Sequence, residues 1–339
     1  MAKRYLAIDS GKSNTKIAVY DAATKKVKTD VFRTKFEEGT FDDTDPGRFT
    51  SLVELDGNVY KVGRGASTEA ELTSSKMTFV HKLCTLYAIA RECSADEVDE
   101  VYAAIGIPVK DYQEVAIRNK YRDYILPTGE IKISYKVNGD APVVTKRFKI
   151  VGRFVYPESF GAIFAKGVDP LSTVGVVDIG HLNVNMTMFN AGEPSYEYSV
   201  TTIKGANALV SGLAQKLSAA FSFINKAQTA ELLSRKGAER CLKPMRANKQ
   251  VEEESKAVVD KYLKDYVTSV LDDCRAAQWS VDYTQFVFIG GTMCMIDGEI
   301  KEIFGEEIII PENSTFVNAL GFLKAMCGRK DVLRIEINV

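Results

Sequence analysis

Little in this chain points to metal-cage, disulfide or membrane chemistry. Histidine occurs only as His81 and His181, so a histidine-based triad or metal cage is not expected. His81 falls in a predicted helix and is expected to be structural. Cysteines 84, 93, 241, 274, 294 and 327 are scattered, with no Cys-Xaa-Xaa-Cys pair. They read as reduced thiols of a cytoplasmic protein, not as a disulfide framework or zinc site. No stretch approaches the ~20 apolar residues of a membrane span, so no membrane partner is expected. Lys3-Arg4 leads directly into a predicted strand, so no signal peptide is expected either. Neither sign of charge prevails: 44 Lys and Arg against 45 Asp and Glu leave a net charge of −1. With a sequence pI near 6.3, nothing advertises direct contact with nucleic acid. What is present is an ordinary globular composition, 45% hydrophobic and 26% charged over 339 residues, enough for two domains.

Two distant stretches share one design. Ile8-Asp9-Ser10-Gly11-Lys12-Ser13-Asn14-Thr15-Lys16 runs into apolar Ile17 to Tyr20, and Val177-Asp178-Ile179-Gly180-His181-Leu182-Asn183-Val184-Asn185 runs into Met186, Met188 and Phe189. Each carries Asp-Xaa-Gly-Xaa-Xaa-Asn between apolar runs, which predicts strand, tight polar turn and strand. An aspartate ending the incoming strand suits a divalent cation held through its waters. The glycine behind it lets backbone N–H groups approach an anion. One such turn is weak evidence, because Asp and Gly are ordinary turn residues; the repeat implies two related halves that could clamp a polyphosphate. Gly11-Lys12-Ser13 is not a P-loop, which needs a glycine where this chain has Leu6. A third element, Phe286 to Ile289 followed by Gly290-Gly291-Thr292, with Met293 to Ile296 starting a short helix, permits close backbone approach to a nucleotide.

Strands are predicted at Tyr5–Asp9, Thr15–Asp21 and Val27–Arg33, then a mobile loop from Phe36 to Arg48. A hairpin turns at Asp56-Gly57. Helical spacing marks 79–92, a buried strand runs from Glu100 to Ile107, and a charged helix covers 112–124. A second hairpin turns at Asn138-Gly139. Pro157-Glu158-Ser159 is predicted to open a short helix. After the second Asp-Xaa-Gly hairpin come a strand at 196–203, a helix from Gly205-Ala206-Asn207 to Leu217, an amphipathic helix over 260–277, a strand at 307–310 and a closing helix over 316–326. The basic run Arg235, Lys236, Arg240, Lys243, Arg246 and Lys249 reads as a solvated helix face, with a polymer, partner or nucleotide-rim contact as the alternative. Alternating strand and helix blocks suggest two α/β domains.

These residues resemble the actin, sugar kinase and heat-shock chaperone ATPase superfamily, and within it the ParM-type plasmid-segregation actin-like proteins. The two phosphate motifs are matched by Asp9 to Lys16 and Asp178 to Asn185, the strand-Gly-Pro connector by Ile105 to Val109, and the adenosine motif by Val287 to Thr292. Pro157-Glu158-Ser159 matches the segment that supplies an acidic residue near the attacking water. Lys204-Gly205-Ala206-Asn207 and Val317-Asn318-Ala319-Leu320-Gly321 match a Gly-containing helix start and an Asn-containing closing helix. Two departures stand out: Lys12 where a small residue is common, and His181-Leu182 where Gly-Thr is usual.

The resemblance implies an actin-like α/β fold: two related domains with ribonuclease H-like cores, 1–157 plus 314–339 and 158–313, flanking a nucleotide cleft. It implies ATP or GTP with Mg²⁺, Asp9 and Asp178 on the hydrated metal, and Glu158 with Asp178 positioning the water. Ser10, Gly11, Lys12, Ser13, Asn14, Lys16, Gly180, His181, Leu182, Asn183, Gly205, Asn207, Gly290, Gly291 and Thr292 would contact nucleotide. Self-assembly into filaments is implied, with plasmid DNA reached only indirectly, through a centromere-binding adaptor protein. A small-molecule kinase of the same superfamily would need a further catalytic Asp, for which no candidate is clear. A chaperone-like ATPase would need an appended peptide-binding domain, which is not expected here.

Overall fold

The computed structural model describes residues 2–43, 46–69, 75–137, 141–246, 248–335 and 337. In chain order the strands are β1 (Lys3–Ser10), β2 (Asn14–Asp21), β3 (Lys26–Arg33), β4 (Lys35–Glu38), β5 (Thr50–Leu55), β6 (Asn58–Gly63), β7 (Thr68–Glu69), β8 (Val98–Ile107), β9 (Glu130–Val137), β10 (Val144–Pro157), β11 (Thr173–Ile179), β12 (Val184–Asn190), β13 (Glu193–Thr202) and β14 (Gln285–Ile289). The helices are α1 (Phe79–Glu92), α2 (Val109–Gln113), α3 (Val115–Ile125), α4 (Ala206–Ala220), α5 (Lys226–Ser234), α6 (Lys249–Ala276), α7 (Met293–Phe304) and α8 (Val317–Gly328). They divide between two compact units, Met1–Gly161 with Phe316–Val339, and Ala162–Thr315. The boundary after Gly161 places Glu158 with the first unit.

The first unit holds a ten-stranded sheet in the order β3-β2-β1-β8-β10-β9-β5-β6-β4-β7. Parallel pairing of β1 with β8 and of β8 with β10 forms its centre, and β1 and β2 are antiparallel. Because side chains alternate across a strand, β1 feeds two cores. Leu6 and Ile8 pack with Ile17, Ile105, Phe148 and the α1 residues Leu83, Leu86 and Ile89. Tyr5 and Ala7 pack with Ala18, Ala104 and the α8 residues Phe322, Leu323 and Met326. A strand buried on both faces reads as an unbroken apolar run, which is what Tyr5 to Ile8 shows. The α8 face is lined by alanines and by Gly106, where an added Cβ would meet the Phe322 ring at 2.7 Å. Small residues there let the aromatic ring lie against the sheet. Phe322 is fully buried, a contribution of about 1.5–3 kcal/mol.

The second unit repeats the centre of the first. Its sheet runs β13-β12-β11-β14, with β11 and β14 parallel, and Ile309 adds one parallel bridge to Val287 beyond β14. The sequence β3-β2-β1-β8-β10 thus has its counterpart in β13-β12-β11-β14 and the 309 bridge. One face, with Val177, Ile179, Met186 and Met188, packs on α4, α6 and α7 through Leu213, Val267, Val270 and Ile296.

Several expectations need correction. The segment expected as a loop from Phe36 contains β4, paired with β6 and β7. The charged helix over 112–124 is two, α2 and α3, separated at Glu114 in extended backbone. Ile117, Tyr121 and Ile125 hold α3 on the core at helical spacing, while Tyr112 stands five residues before Ile117, off that period. Pro157 ends β10 instead of opening a helix, and the helical turn is a 3₁₀ piece, Phe160–Phe164. The 307–310 strand reduces to the single Ile309 bridge. Helix α6 begins at Lys249, not 260, capped by the Asn248 side chain, which accepts from the Val251 N–H at 3.3 Å. Its first turns are mostly polar, so no apolar period announces them. Helix α5 was not expected; Asn225 and Gln228 close its start as a capping box. The Asp56-Gly57 turn has φ of 53° and 82°, the left-handed pair a two-residue hairpin requires. The Asn138-Gly139 turn lies outside the described residues. The basic run is largely ion-paired: Arg235 to Glu231, Lys236 to Asp297, buried Arg240 to Glu299, Lys243 to Glu252.

Candidate functional site

The two Asp-Xaa-Gly hairpins have the same register. Asp9 pairs with Lys16 across β1 and β2, and Asp178 with Asn185 across β11 and β12. Each turn closes with the same bond: Gly11 N–H donates to the Asn14 carbonyl at 3.0 Å, and Gly180 N–H to the Asn183 carbonyl at 2.9 Å. A Cβ on either glycine would press on that carbonyl, at 3.1 and 3.2 Å. The glycines therefore serve the tightness of the turn, and their N–H groups are spent inside it.

In the first unit Asp9 is buried and flanked by two ammonium groups. Lys16 Nζ lies 3.2 Å from Oδ2 and Lys76 Nζ 3.4 Å from Oδ1. Burial opposes ionisation, yet Lys16 and then Lys76 outweigh it and hold the carboxyl at about 2. Lys76 reaches further, with Nζ 2.5 Å from Glu158 Oε1. Burial works against the Lys76 charge, but Glu158 and then Asp9 raise it above the ordinary lysine range. So Asp9 and Glu158, far apart in sequence, share one cation. The Ser10 hydroxyl turns inward to Thr15 Oγ1 (3.2 Å), and Ser13 Oγ accepts from Arg33 (2.7 Å). Lys12 Nζ donates to the Ser75 carbonyl at 3.4 Å.

Glu158 is fixed from both sides. Its N–H donates to the Ile107 carbonyl at 2.8 Å, and the next N–H, of Ser159, donates to Asn318 Oδ1 at 3.0 Å. Ser159 has φ of 70°, a left-handed conformation costly for a residue with a Cβ and kept only where surroundings enforce it. The enforcement comes from α8. Gly161 and Gly321 meet backbone to backbone, and a Cβ on Gly321 would fall 2.2 Å from Gly161 Cα. The matched segments Pro157-Glu158-Ser159 and Asn318 to Gly321 are one locked joint.

In the second unit Asp178 is also buried. Gly290, at φ 107°, packs against it: an added Cβ would meet Ile179 O at 2.4 Å and Asp178 Oδ1 at 2.9 Å. The Thr292 hydroxyl donates to the Ile179 carbonyl at 3.0 Å. The start of α4 backs the turn, with N–H groups of Gly205, Ala206 and Asn207 donating to carbonyls of Leu182, Gly180 and His181 at 2.8–3.0 Å. A Cβ on Gly205 would meet Leu182 C at 2.4 Å. These backbone donors are therefore committed to the turn, and the Asn207 side chain accepts from Lys226 Nζ at 3.3 Å. Gly205, Asn207, Gly290 and Thr292 shape the turn; Gly291 is exposed beside them.

Lys76 was missed in the sequence. It precedes α1 in a polar stretch without period, where a lone lysine reads as surface. Among the described residues no group of three or more His, Cys, Asp or Glu could cage a metal. An ionised Asp9 with few companions suits Mg²⁺, which keeps most of its waters and takes one or two carboxylates plus substrate phosphates.

Among solved structures, the chain is similar to the Alp12 filament structure, at 22% identity over 97% of this chain and 99% of that one, TM-score 0.73. It is similar to Ta0583, an archaeal actin homologue in complex with ADP, at 18% identity over 96% and 99%, TM-score 0.70. It is also similar to a 15-stranded ParM filament from Clostridium botulinum, at 16% identity over 97% and 100%, TM-score 0.70. The chain thus has the actin-like fold, an α/β protein of two domains. Residues 7–161 match the family of actin like proteins at their N terminal domain. No curated protein matches the sequence significantly.

Proposed function

We propose that this chain is an actin-like nucleoside triphosphatase whose nucleotide-bound form assembles into filaments in the cytoplasm. The observation that carries the reading is the doubled hairpin, the same register and the same Gly-to-Asn closure in each unit, with Glu158 held by the lysine that also meets Asp9. Asp9 and Asp178 would hold a hydrated Mg²⁺ on the phosphates of ATP or GTP; that metal supplies charge to the leaving phosphates. Lys16 would reach phosphate oxygens. N–H groups within the turns, from Lys12 to Asn14 and from His181 to Asn183, would cradle them. Glu158, with Asp178, would orient the attacking water.

The filament reading is supported by the relatives: the Alp12 and Clostridium botulinum ParM structures are filaments. A balanced charge favours plasmid DNA carried through an adaptor protein over direct contact. Nucleotide binding would shift the population toward an assembling form and hydrolysis would reverse it. Right-angle light scattering after addition of ATP or GTP with Mg²⁺ tests this. A rise followed by a fall is expected. Hydrolysis without any scattering change would instead favour a kinase or chaperone-like member of the superfamily.

A further inference from the structure

Lys76 is 7% exposed, uncommon for a lysine unless it is paired. Its ammonium makes two unequal contacts, 2.5 Å to Glu158 and 3.4 Å to Asp9. The carboxylates have different duties in the proposed reaction: Asp9 meets the metal, Glu158 the water. The neighbouring residue is engaged as well, since the Ser75 carbonyl accepts from Lys12 in the first turn. Two consecutive residues therefore touch the phosphate turn, the metal carboxylate and the water carboxylate. A divalent cation at Asp9 and an ammonium at the same carboxylate repel each other. The looser contact yields first.

We propose that Lys76 is a positioning residue, a built-in cation shared between Asp9 and Glu158. Metal–nucleotide binding releases it from Asp9 and leaves it holding Glu158 in place for the attacking water. This rests on the nucleotide reading above and adds a sign to it: Lys76 opposes metal binding and promotes hydrolysis. Removing its charge should move the two in opposite directions, which a merely structural lysine would not do.

The test uses the full chain, a non-hydrolysable ATP or GTP analogue with titrated Mg²⁺ in calorimetry, and single-turnover hydrolysis. For Lys76→Met, turnover should fall about 100-fold, in the range of a lost positioned catalytic group. The Mg²⁺ concentration at half-saturation should fall about 5-fold, since one nearby positive charge has gone. Lys76→Arg, which keeps the charge, should retain the wild-type Mg²⁺ requirement and recover turnover to within about 10-fold of wild type. Should Lys76→Met not fold, Glu158→Gln and the double variant Lys76→Met/Glu158→Gln replace it, because the double variant loses one charge of each sign. The double variant should then need less Mg²⁺ than Glu158→Gln alone. Equal Mg²⁺ requirements in that pair, or wild-type turnover in Lys76→Met, overturn the role of Lys76. If the wild-type chain takes up no Mg²⁺–nucleotide, the nucleotide reading itself fails, a different result from an inert Lys76 variant.

Discussion

His81 shows how far a buried position alters one side chain. It is fully buried, with Nδ1 2.7 Å from Thr78 Oγ1. Burial, with Lys76 and then Lys12 nearby, lowers its pKa to about 3. An unfolded chain takes up that proton near 6.5. Below pH 6.5 the unfolded state therefore binds more protons than the folded one, and stability drops as pH falls toward 3, by up to ~1.4 kcal/mol per pH unit. Denaturant melts between pH 7 and 4.5 should show a shallower acid slope for His81→Gln than for wild type; equal slopes would remove His81 from this account. Cysteines divide in the same way. Burial pushes the Cys84, Cys93, Cys274 and Cys327 thiols up to about 12, Cys241 is buried, and Cys294 is exposed. A brief iodoacetamide pulse on the native protein should give one adduct by mass spectrometry, absent in Cys294→Ser.

Between elements, the decisive contact joins the 157–161 segment to α8. Gly321→Ala would drive a methyl into Gly161, at a cost near the top of the usual overpacking range, about 3 kcal/mol. Thermal melting should fall accordingly, and an unchanged midpoint would contradict the close approach. Asn318→Ala is milder. It leaves the Ser159 N–H without its side-chain acceptor, worth about 1–3 kcal/mol, and frees the strained residue beside Glu158. Hydrolysis should slow more than nucleotide affinity weakens; loss of affinity alone would mean that Asn318 does not act through Glu158.

For the whole molecule, Glu158→Ala separates assembly from disassembly. Removing a group that positions the attacking water is worth about 10²–10⁴-fold in rate, while the backbone donors of the turns stay intact. This variant should bind nucleotide and scatter light as filaments that persist instead of decaying. Wild-type decay in Glu158→Ala would exclude it from hydrolysis. The actin-like fold itself was readable because its centre is repeated: strands buried on both faces leave apolar runs, and each tight turn carries a glycine close against a carbonyl.

The chain alone determined the two Asp-Xaa-Gly hairpins, α1 to the residue, and the place of Glu158 in a conspicuous segment, since each depends on neighbours in sequence. Only tertiary structure decided that Lys76 joins Asp9 to Glu158, that Asn318 and Gly321 hold the strained Ser159, and that Gly205 and Thr292 brace a turn. Those contacts bring together residues far apart in the chain, Ser159 and Asn318 by 159 positions, and no local pattern encodes them. The same holds where local signals were weak: polar beginnings such as that of α6 leave no period to read, because solvent constrains them less than a core would.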